Sequence, residues 1–221
     1  TMIVNERIVS YINSLNADNE GVLAEIENEA KAAGVPVIRK EMENFLKVML
    51  AVKKPAGILE VGAAVGYSSI LMSMNVDSDC HITTIENYDI RIEQARHNIA
   101  RAGKESQITL LEGDAMNILK DLPSQEYDFV FMDAAKAQYI NFLPEVLRVM
   151  KTSAVLISDN VLQEGSIAES RYAVTRRDRT IHARMREYMY ELTHMNELIT
   201  SIVPIGDGIT MSVKRMEDNN A

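Results

Sequence analysis

Short apolar runs alternate with longer amphipathic segments from about residue 55 to residue 160. An apolar run between turn residues is typical of a buried strand, whereas apolar positions spaced three and four apart indicate a helix. Regular alternation of the two predicts βαβ units around a parallel sheet. The chain is therefore expected to belong to the α/β class.

Five strands and four helices are predicted within this alternating region. The strands are expected at Gly57 to Val61, His81 to Glu86, Ile108 to Leu111, Phe129 to Asp133 and Ala154 to Asp159. The intervening helices are expected near Tyr67 to Met74, Ile90 to Ala102, Ala115 to Leu119 and Ile140 to Met150. Because parallel strands bring their carboxyl ends to one edge of the sheet, a ligand is expected at that edge.

The two ends of the chain follow other patterns. Helices are predicted before the sheet at Val4 to Leu15, Val22 to Ala33 and about Arg39 to Val52. A polar loop, an Arg-rich helix and two strands are predicted after Asn160, with the helix near Asp178 to His194 and the strands at Leu198 to Pro204 and Gly208 to Lys214. A parallel crossover needs a dozen or more residues, so these closely connected strands should be antiparallel. The expected fold is a Rossmann-like sheet of seven strands, mostly parallel with an antiparallel C-terminal strand, with helices on both faces.

Length and composition favour one globular domain, since 47% of the 221 residues are hydrophobic and 25% are charged. We divide it into an N-terminal helical cover (1–52), a ligand-binding core (53–160), an Arg-rich insert (161–196) and a C-terminal hairpin (197–215). No apolar run is long enough to span a membrane, and the early acids argue against a signal peptide, so a cytoplasmic location is expected. The single cysteine, Cys80, can form no internal disulfide and is expected to pack at a strand end.

Charge is distributed unevenly along the chain. The net charge of −9 argues against general affinity for nucleic acid. Six arginines nevertheless lie between Arg171 and Arg186, where Asp178 is the only acid. This local excess of positive charge requires a separate explanation.

The turn GAAVGYSS follows the first predicted strand. Gly62 would let the backbone turn sharply, Gly66 would let a ligand approach the main chain, and Ser68 lies at the start of the next helix. An NAD site would normally show the pattern G-x-G-x-x-G, which is absent here. For these two glycines alone, a plain strand-to-helix turn remains an alternative.

Acidic side chains lie at the end of the second predicted strand and just after the third. Glu86 stands twenty-four residues after Gly62, where a carboxylate can accept hydrogen bonds from both hydroxyls of a ribose. In the segment Gly113-Asp114-Ala115, Asp114 can receive an adenine amino group or cap the next helix, and both interpretations stay open. Glu86 could also be a solvated acid at a strand end.

The fourth and fifth predicted strands end in Asp133 and in Asp159-Asn160. Adjacent parallel strands lie about 4.8 Å apart, so these side chains should converge. Two carboxylates and an amide oxygen suit Mg²⁺, and the absence of nearby Cys or His disfavours zinc and copper. Lys136 follows closely and could take a proton from a bound substrate or face it as a cation. Unrelated strand-end acids, and an exposed lysine, are the alternatives.

Six segments occur in an order that resembles a known family: LEVGAAVGYSS, TIENYD, LEGDA, FMDAAKAQY, ISDNV and PIGDG. Over about residues 35 to 214 the chain resembles the cation-dependent S-adenosylmethionine O-methyltransferases related to catechol and caffeoyl-CoA enzymes. The joint occurrence of FMDAAK and ISDNV is specific, whereas the glycine turn alone is not.

The resemblance implies a role for individual residues. It implies metal ligands at Asp133, Asp159 and Asn160, and catalytic roles for Lys136 and Asp133. It implies S-adenosylmethionine contacts at Ile38, Gly62, Ser68, Glu86, Gly113, Asp114, Ala115 and Asp133. Ser68 would face the carboxylate of the methionine moiety, Glu86 the ribose and Asp114 the adenine.

Within this class, the Arg-rich insert and the ending PIGDGITMSVK are most similar to bacterial tRNA 5-hydroxyuridine methyltransferases, which make 5-methoxyuridine at the wobble position. The implied partner is the anticodon region of tRNA. Its phosphates would be contacted by Arg171, Arg176, Arg177, Arg179, Arg184 and Arg186. A small-molecule, catechol-like substrate is the alternative, and a solvated helix face or an oligomer contact would also explain the arginines. A homodimer is expected because it is common among relatives.

Overall fold

A computed structural model of the chain describes residues 3–216. One sheet contains seven strands. They are β1 (Gly57–Val61), β2 (His81–Glu86), β3 (Ile108–Glu112), β4 (Tyr127–Met132), β5 (Met150–Ser158), β6 (Leu198–Val203) and β7 (Ile209–Lys214). Their order is β3-β2-β1-β4-β5-β7-β6, and β7 alone runs against the other strands. The predicted fold class is confirmed.

Eight α-helices accompany the sheet within the described residues. They are α1 (Glu6–Ser14), α2 (Gly21–Ala32), α3 (Lys40–Lys53), α4 (Tyr67–Ser73), α5 (Asp89–Arg101), α6 (Ala115–Asp121), α7 (Tyr139–Val149) and α8 (Arg179–His194). Short 3-10 helices span Lys136–Gln138 and Gln163–Ala168. No helix in residues 3–216 is long and apolar enough to cross a membrane.

Apolar side chains form one core on each face of the sheet. On one face, Leu23, Leu46 and Ile70 from α2, α3 and α4 pack against the strands. On the other face, Leu119, Phe142 and Leu192 from α6, α7 and α8 do the same. Cys80 is buried immediately before β2, as expected. The first helix is different, because α1 has no buried side chain.

The boundaries of β4 and β5 differ from the prediction. β5 begins at Met150 rather than Ala154, and Met150 pairs with Tyr127 at the start of β4. A register shift follows between Tyr127 and Phe129. The chain passes from α7 directly into β5, so no turn residue marks the boundary in the sequence.

The two glycines of the first turn have different structural roles. Gly62 has φ +104°, and a Cβ added there would lie 2.1 Å from the backbone oxygen of Asp133. Gly66 has φ +79°, and its Cβ would lie 3.3 Å from Cα of Ala95 in α5. Gly66 is thus packed against a helix, and the expectation that it admits a ligand to the main chain stays a prediction. Gly62 lets β1 and β4 end close together.

We predict that Gly62→Ala destabilises the protein by about 3 kcal/mol or more, because the methyl group overlaps backbone that cannot move independently. Gly103→Ala is the matched control: Gly103 also has positive φ, +64°, but a Cβ added there would meet no atom within 4 Å. The control should lose only about 1 kcal/mol, the cost of a left-handed backbone. Urea unfolding of both variants measures the difference, and equal losses would contradict the close-approach argument.

Candidate active site

The acids at the ends of β4 and β5 meet at one point. Asn160 donates from Nδ2 to Oδ1 of Asp133 at 3.2 Å, and its backbone N–H donates to Oδ1 of Asp159 at 2.7 Å. Met132 pairs with Ser158 in the sheet, which sets the following residues side by side. The structure therefore brings together the three side chains that were predicted to hold a metal.

Burial makes this arrangement electrostatically unfavourable. Burial raises the pKa of Asp133, while the amide of Asn160 and the charge of Lys136 act in the opposite direction. Burial, followed by the charge of Asp133, raises the pKa of Asp159 to about 7. Two carboxylates that resist ionisation together are a site where a divalent cation would be strongly stabilising.

The donor set fits magnesium better than a softer metal. The residues from 3 to 216 contain no cluster of three His, Cys, Asp or Glu side chains suited to a metal ion. The third protein ligand would therefore be the amide of Asn160, which must then present its oxygen. Hard oxygen donors with room for water are what Mg²⁺ prefers.

A cavity of about 420 Å³, here called the carboxylate cavity, opens over these side chains. It is lined by Pro36, Val37, Ile38, Arg39, Met42, Ala64, Asp133, Lys136, Asp159, Asn160, Gly206 and Asp207. Lys136 begins the first 3-10 helix, and its Nζ lies 3.4 Å from Oδ2 of Asp207. A lysine and the three candidate ligands thus share one space.

A second cavity of about 410 Å³, here called the glycine-turn cavity, lies beyond β1, β2 and β3. It brings together most of the predicted cofactor contacts, namely Gly62, Glu86, Gly113, Asp114, Ala115 and Asp133. Asp133 lines both cavities. A ligand in the glycine-turn cavity can therefore reach the carboxylate cavity at Asp133.

Main-chain N–H groups hold Glu86 at the wall of the glycine-turn cavity. Its Oε2 accepts from Ala64 N at 2.7 Å, and its Oε1 accepts from Asn87 N at 2.9 Å and Tyr88 N at 3.0 Å. Oε2 accepts only one of these bonds and keeps a second lone pair, so it can still accept a hydrogen bond from a ligand hydroxyl. The fixed orientation suits recognition of a hydroxyl group at a defined position.

Asp114 caps α6, because its Oδ1 accepts from Met116 N at 2.8 Å. The capping interpretation is therefore observed, and contact with an adenine stays a prediction. Ile38 lines the carboxylate cavity. Ser68 is buried in the first turn of α4, near enough to Glu60 to act on its carboxyl, and it lines neither cavity. A direct contact from Ser68 to a ligand stays a prediction.

Glu60 is a charged group that the sequence reasoning missed. It lies in the middle of β1 with no exposed surface, and Oε2 accepts from Thr84 Oγ1. Its Oε1 has no hydrogen-bond partner in the described part of the chain. Burial raises the pKa of Glu60 to about 7, against the opposing effect of Ser68 and Thr84. The signal in the sequence was an acid within the otherwise apolar strand GILEV. A buried carboxylate at this position would favour a positively charged ligand group nearby.

The six arginines of the insert divide into two groups. Arg171, Arg176 and Arg177 are exposed on the loop before α8. Arg184 and Arg186, by contrast, donate to the backbone oxygens of Ala137 and Ile167 at 3.1 and 3.0 Å. Arg179 lies over the ring of Tyr172, 6.0 Å from its centroid. The first group has guanidinium groups open to a partner, whereas the second group has structural contacts.

A family model described as O-methyltransferase matches residues 13–215. The chain belongs to the O-methyltransferase family. It is 28% identical over 169 residues to a catechol O-methyltransferase of Niastella koreensis, covering 74% of this chain and 76% of the relative. It is 29% identical over 183 residues to a caffeoyl-CoA O-methyltransferase of Stellaria longipes, covering 75% and 71%.

Solved structures share the fold of this O-methyltransferase. A Bacillus cereus O-methyltransferase in complex with SAH superposes with a TM-score of 0.83 at 22% identity, covering 95% of this chain and 97% of that chain. TomG of Streptomyces achromogenes, in complex with SAM, superposes with a TM-score of 0.82 at 23% identity, covering 97% and 100%. At these identities the likeness establishes the architecture alone.

The raised pKa of Asp159 predicts how stability depends on pH. An acid whose pKa is higher in the folded than in the unfolded state binds protons preferentially when folded. The stability of the cation-free protein should therefore fall as pH rises from about 4 to about 7, the ordinary and the raised pKa of Asp159. Asp159→Asn removes this titration and should stabilise the cation-free protein at pH 8 by up to about 4 kcal/mol relative to the wild type, at about 1.36 kcal/mol for each pKa unit.

Urea unfolding in EDTA at a series of pH values measures this effect. Glu105→Gln, at an exposed acid in the loop before β3, is the control and should follow the wild-type pH dependence. A wild-type stability that rises between pH 5 and pH 8, with Asp159→Asn showing the same rise, would contradict the charge-repulsion argument.

Proposed function

We propose that this O-methyltransferase transfers the methyl group of S-adenosylmethionine to the 5-hydroxyl of 5-hydroxyuridine at the tRNA wobble position, with Mg²⁺ held at the carboxylate cavity. One observation carries the chemistry: Asp133 lines both cavities. A methyl donor in the glycine-turn cavity and an acceptor oxygen in the carboxylate cavity would then meet beside Asp133.

S-adenosylmethionine is supported by the lining of the glycine-turn cavity. Glu86 lines this cavity with Oε2 still able to accept from a ribose hydroxyl, and Asp114 and Ala115, which line the same cavity, would face the adenine. Solved relatives of the same fold are described in complex with SAM and SAH. The buried carboxylate of Glu60, beneath the turn, would complement the positive charge of the amino-acid end.

Magnesium would be held by Asp133, Asp159 and the amide oxygen of Asn160. When bound, a divalent cation supplies Lewis acidity that lowers the pKa of a coordinated hydroxyl. Lys136 then receives the acceptor's proton at Nζ or faces the resulting oxyanion as a cation. Because the methyl donor is already activated, the protein mainly contributes alignment, which can be worth roughly 7 to 11 kcal/mol.

The RNA part of the proposal rests on the loop between the second 3-10 helix and α8. Ala173, Val174 and Thr175 of this loop line a third cavity of about 460 Å³, here called the outer cavity. Lys136 and Asp207 line both the outer and the carboxylate cavity. Arg171, Arg176 and Arg177 are exposed on the same loop, next in sequence to residues that line this cavity, and could there hold phosphates of a long polyanionic substrate.

A small-molecule phenol is the second candidate. It is favoured by the relatives in sequence, which are named catechol and caffeoyl-CoA O-methyltransferases. The chemistry at Asp133, Asp159, Asn160 and Lys136 would be the same for either substrate, so only the acceptor distinguishes the two candidates.

A homodimer is also part of the proposal. Ile8, Tyr11 and Leu15 of the α1 region are between 52% and 68% exposed, which leaves an apolar face available to a second copy. Sedimentation equilibrium would show twice the mass of one chain.

The metal assignment predicts that Asp133→Ala loses turnover by about 1,000-fold or more, because the variant lacks both a cation ligand and the group between the cavities. EDTA should inactivate the wild type, and added Mg²⁺ should restore it without rescuing the variant. Asp121→Ala, at an exposed acid at the end of α6, is the control and should retain activity. Full activity of Asp133→Ala in EDTA would refute the assignment.

The substrate is tested by incubating the enzyme with labelled S-adenosylmethionine and tRNA carrying 5-hydroxyuridine, followed by nucleoside mass spectrometry. We expect label in 5-methoxyuridine and little transfer to a free catechol. Transfer to the catechol with none to tRNA would select the small-molecule candidate.

The arginine loop predicts a dependence on salt. Arg176→Gln combined with Arg177→Gln should weaken tRNA binding and lower the slope of log K against log salt concentration by about 2, roughly one for each lost phosphate contact. Lys54→Gln combined with Arg215→Gln is the matched control, since both residues are exposed near the opposite edge of the sheet. Cofactor affinity should be unchanged in both double variants, and an unaltered salt slope in the first would count against the RNA contact.

A further inference from the structure

We propose that Asp207 is a positioning residue that holds Lys136 at the acceptor side of the carboxylate cavity and, with its other oxygen, fixes the segment after Asn160. The inference rests on the proposed function for the role of Lys136. It gives a role to the PIGDG segment, Pro204 to Gly208, which has none in the proposed reaction.

Asp207 lies in the turn between β6 and β7 and is only 7% exposed. Its Oδ2 lies 3.4 Å from Nζ of Lys136, the one ion pair of that lysine among the described residues. Lysine has a long side chain with many rotamers, so a fixed counter-charge is needed to keep its Nζ in one place.

The other carboxylate oxygen binds a different part of the chain. Oδ1 of Asp207 accepts from the backbone N–H of Glu164. The main chain of the same turn adds two bonds, from Leu162 N to Asp207 O at 3.0 Å and from Val161 N to Gly208 O at 2.9 Å. The turn therefore binds three successive parts of the segment that directly follows the candidate ligand Asn160.

That segment needs to be held, because its backbone is unfavourable. Gln163 and Glu164 have φ values of +49° and +54°, in the left-handed region that residues other than glycine and asparagine avoid. A Cβ on Gly208 would lie 2.2 Å from Cγ of Leu162, so only glycine allows the two segments to pack this closely. Such strain persists where surrounding contacts over-determine the conformation.

The pair formed by Lys136 and Asp207 also has a distinctive location. Both residues line the carboxylate cavity on one side and the outer cavity on the other. The pair therefore separates the two spaces, and an acceptor that enters from the outer cavity passes it. The carboxylate of Asp207 can thereby position both Lys136 and the backbone at Glu164 beside the acceptor.

The position of Asp207 is costly unless the lysine is present. Its negative charge acts on Asp159, which already faces Asp133. A third buried acid at this point adds repulsion that a purely structural hydrogen-bond acceptor, such as asparagine, would avoid. The negative charge of Asp207 is therefore needed for its role, which is to bind the cation of Lys136.

Asp207→Asn tests this role. The amide keeps the shape and an oxygen for the N–H of Glu164, but it removes the charge that faces Lys136. We expect kcat to fall by between about tenfold and a hundredfold, because the Lys136 cation would no longer be held facing the developing oxyanion, and the loss of one such donor costs about 100-fold or more. The KM and calorimetric Kd for S-adenosylmethionine should be unchanged, as should the thermal unfolding midpoint.

Asp121→Asn is the matched control, since it makes the same substitution at an exposed acid at the end of α6 that lines none of the three cavities. It should keep the wild-type kcat. Wild-type kcat in Asp207→Asn, or an equal loss in Asp121→Asn, would overturn the proposal.

A double-mutant cycle distinguishes action through the lysine from any other effect. In a Lys136→Met background, Asp207→Asn should change kcat by less than about twofold, since the group that it positions is gone. Multiplying losses would overturn the proposal. Full activity of Lys136→Met alone would instead refute the catalytic role of Lys136 in the proposed function.

Stability supplies a readout that needs no activity and applies even if Asp207→Asn does not fold alone. Lys136→Met leaves a buried carboxylate without its cation, so the variant should unfold at a lower urea concentration than the wild type at pH 8. Adding Asp207→Asn to Lys136→Met should restore much of the loss, and a further decrease would overturn the proposal. Either tRNA or a catechol can serve as acceptor in the kinetic arms, so the result does not depend on which substrate is correct.

Discussion

Two carboxylates buried at the ends of adjacent strands repel each other, and the rest of the site is arranged around that repulsion. Asp133 and Asp159 are placed by the parallel pairing of β4 and β5, so the sheet itself forces them together. Burial holds both in the neutral form more strongly than in water, as the raised pKa values show. Only a positive charge of high density between them makes the ionised pair favourable.

Lys136 supplies part of that charge, and Asp207 determines where it lies. Negative and positive side chains therefore alternate across the carboxylate cavity. The series runs from Asp133 and Asp159 through Lys136 to Asp207, in the turn between β6 and β7. Gly62 completes the arrangement from the other side, because the absent Cβ lets β1 approach the end of β4. The same strand ends that build the sheet therefore also fix the positions of the charges in the site.

Much of this could be predicted from the sequence, for reasons that differ between features. β1 and β2 were predicted with their observed bounds, since turn residues flank each apolar run. The convergence of Asp133, Asp159 and Asn160 followed from strand order alone. The start of β5 was missed because α7 continues into it without a turn. The packing of Gly66 against Ala95 was missed because Ala95 is distant in sequence, and the partners of Arg184 and Arg186 are equally non-local.

The first helix stands apart from this network. No side chain of α1 is buried, and its polar link to the rest of the chain is the bond from Asn13 Nδ2 to Glu41 Oε2 at 3.2 Å. The firmer attachment comes later, where Asn19 donates to the hydroxyl of Tyr67 at 2.8 Å and to Glu43 at 3.0 Å. Residues before this anchor line none of the three cavities, so exchange of the helix would alter contacts with a second copy of the chain while leaving the catalytic architecture of one copy intact.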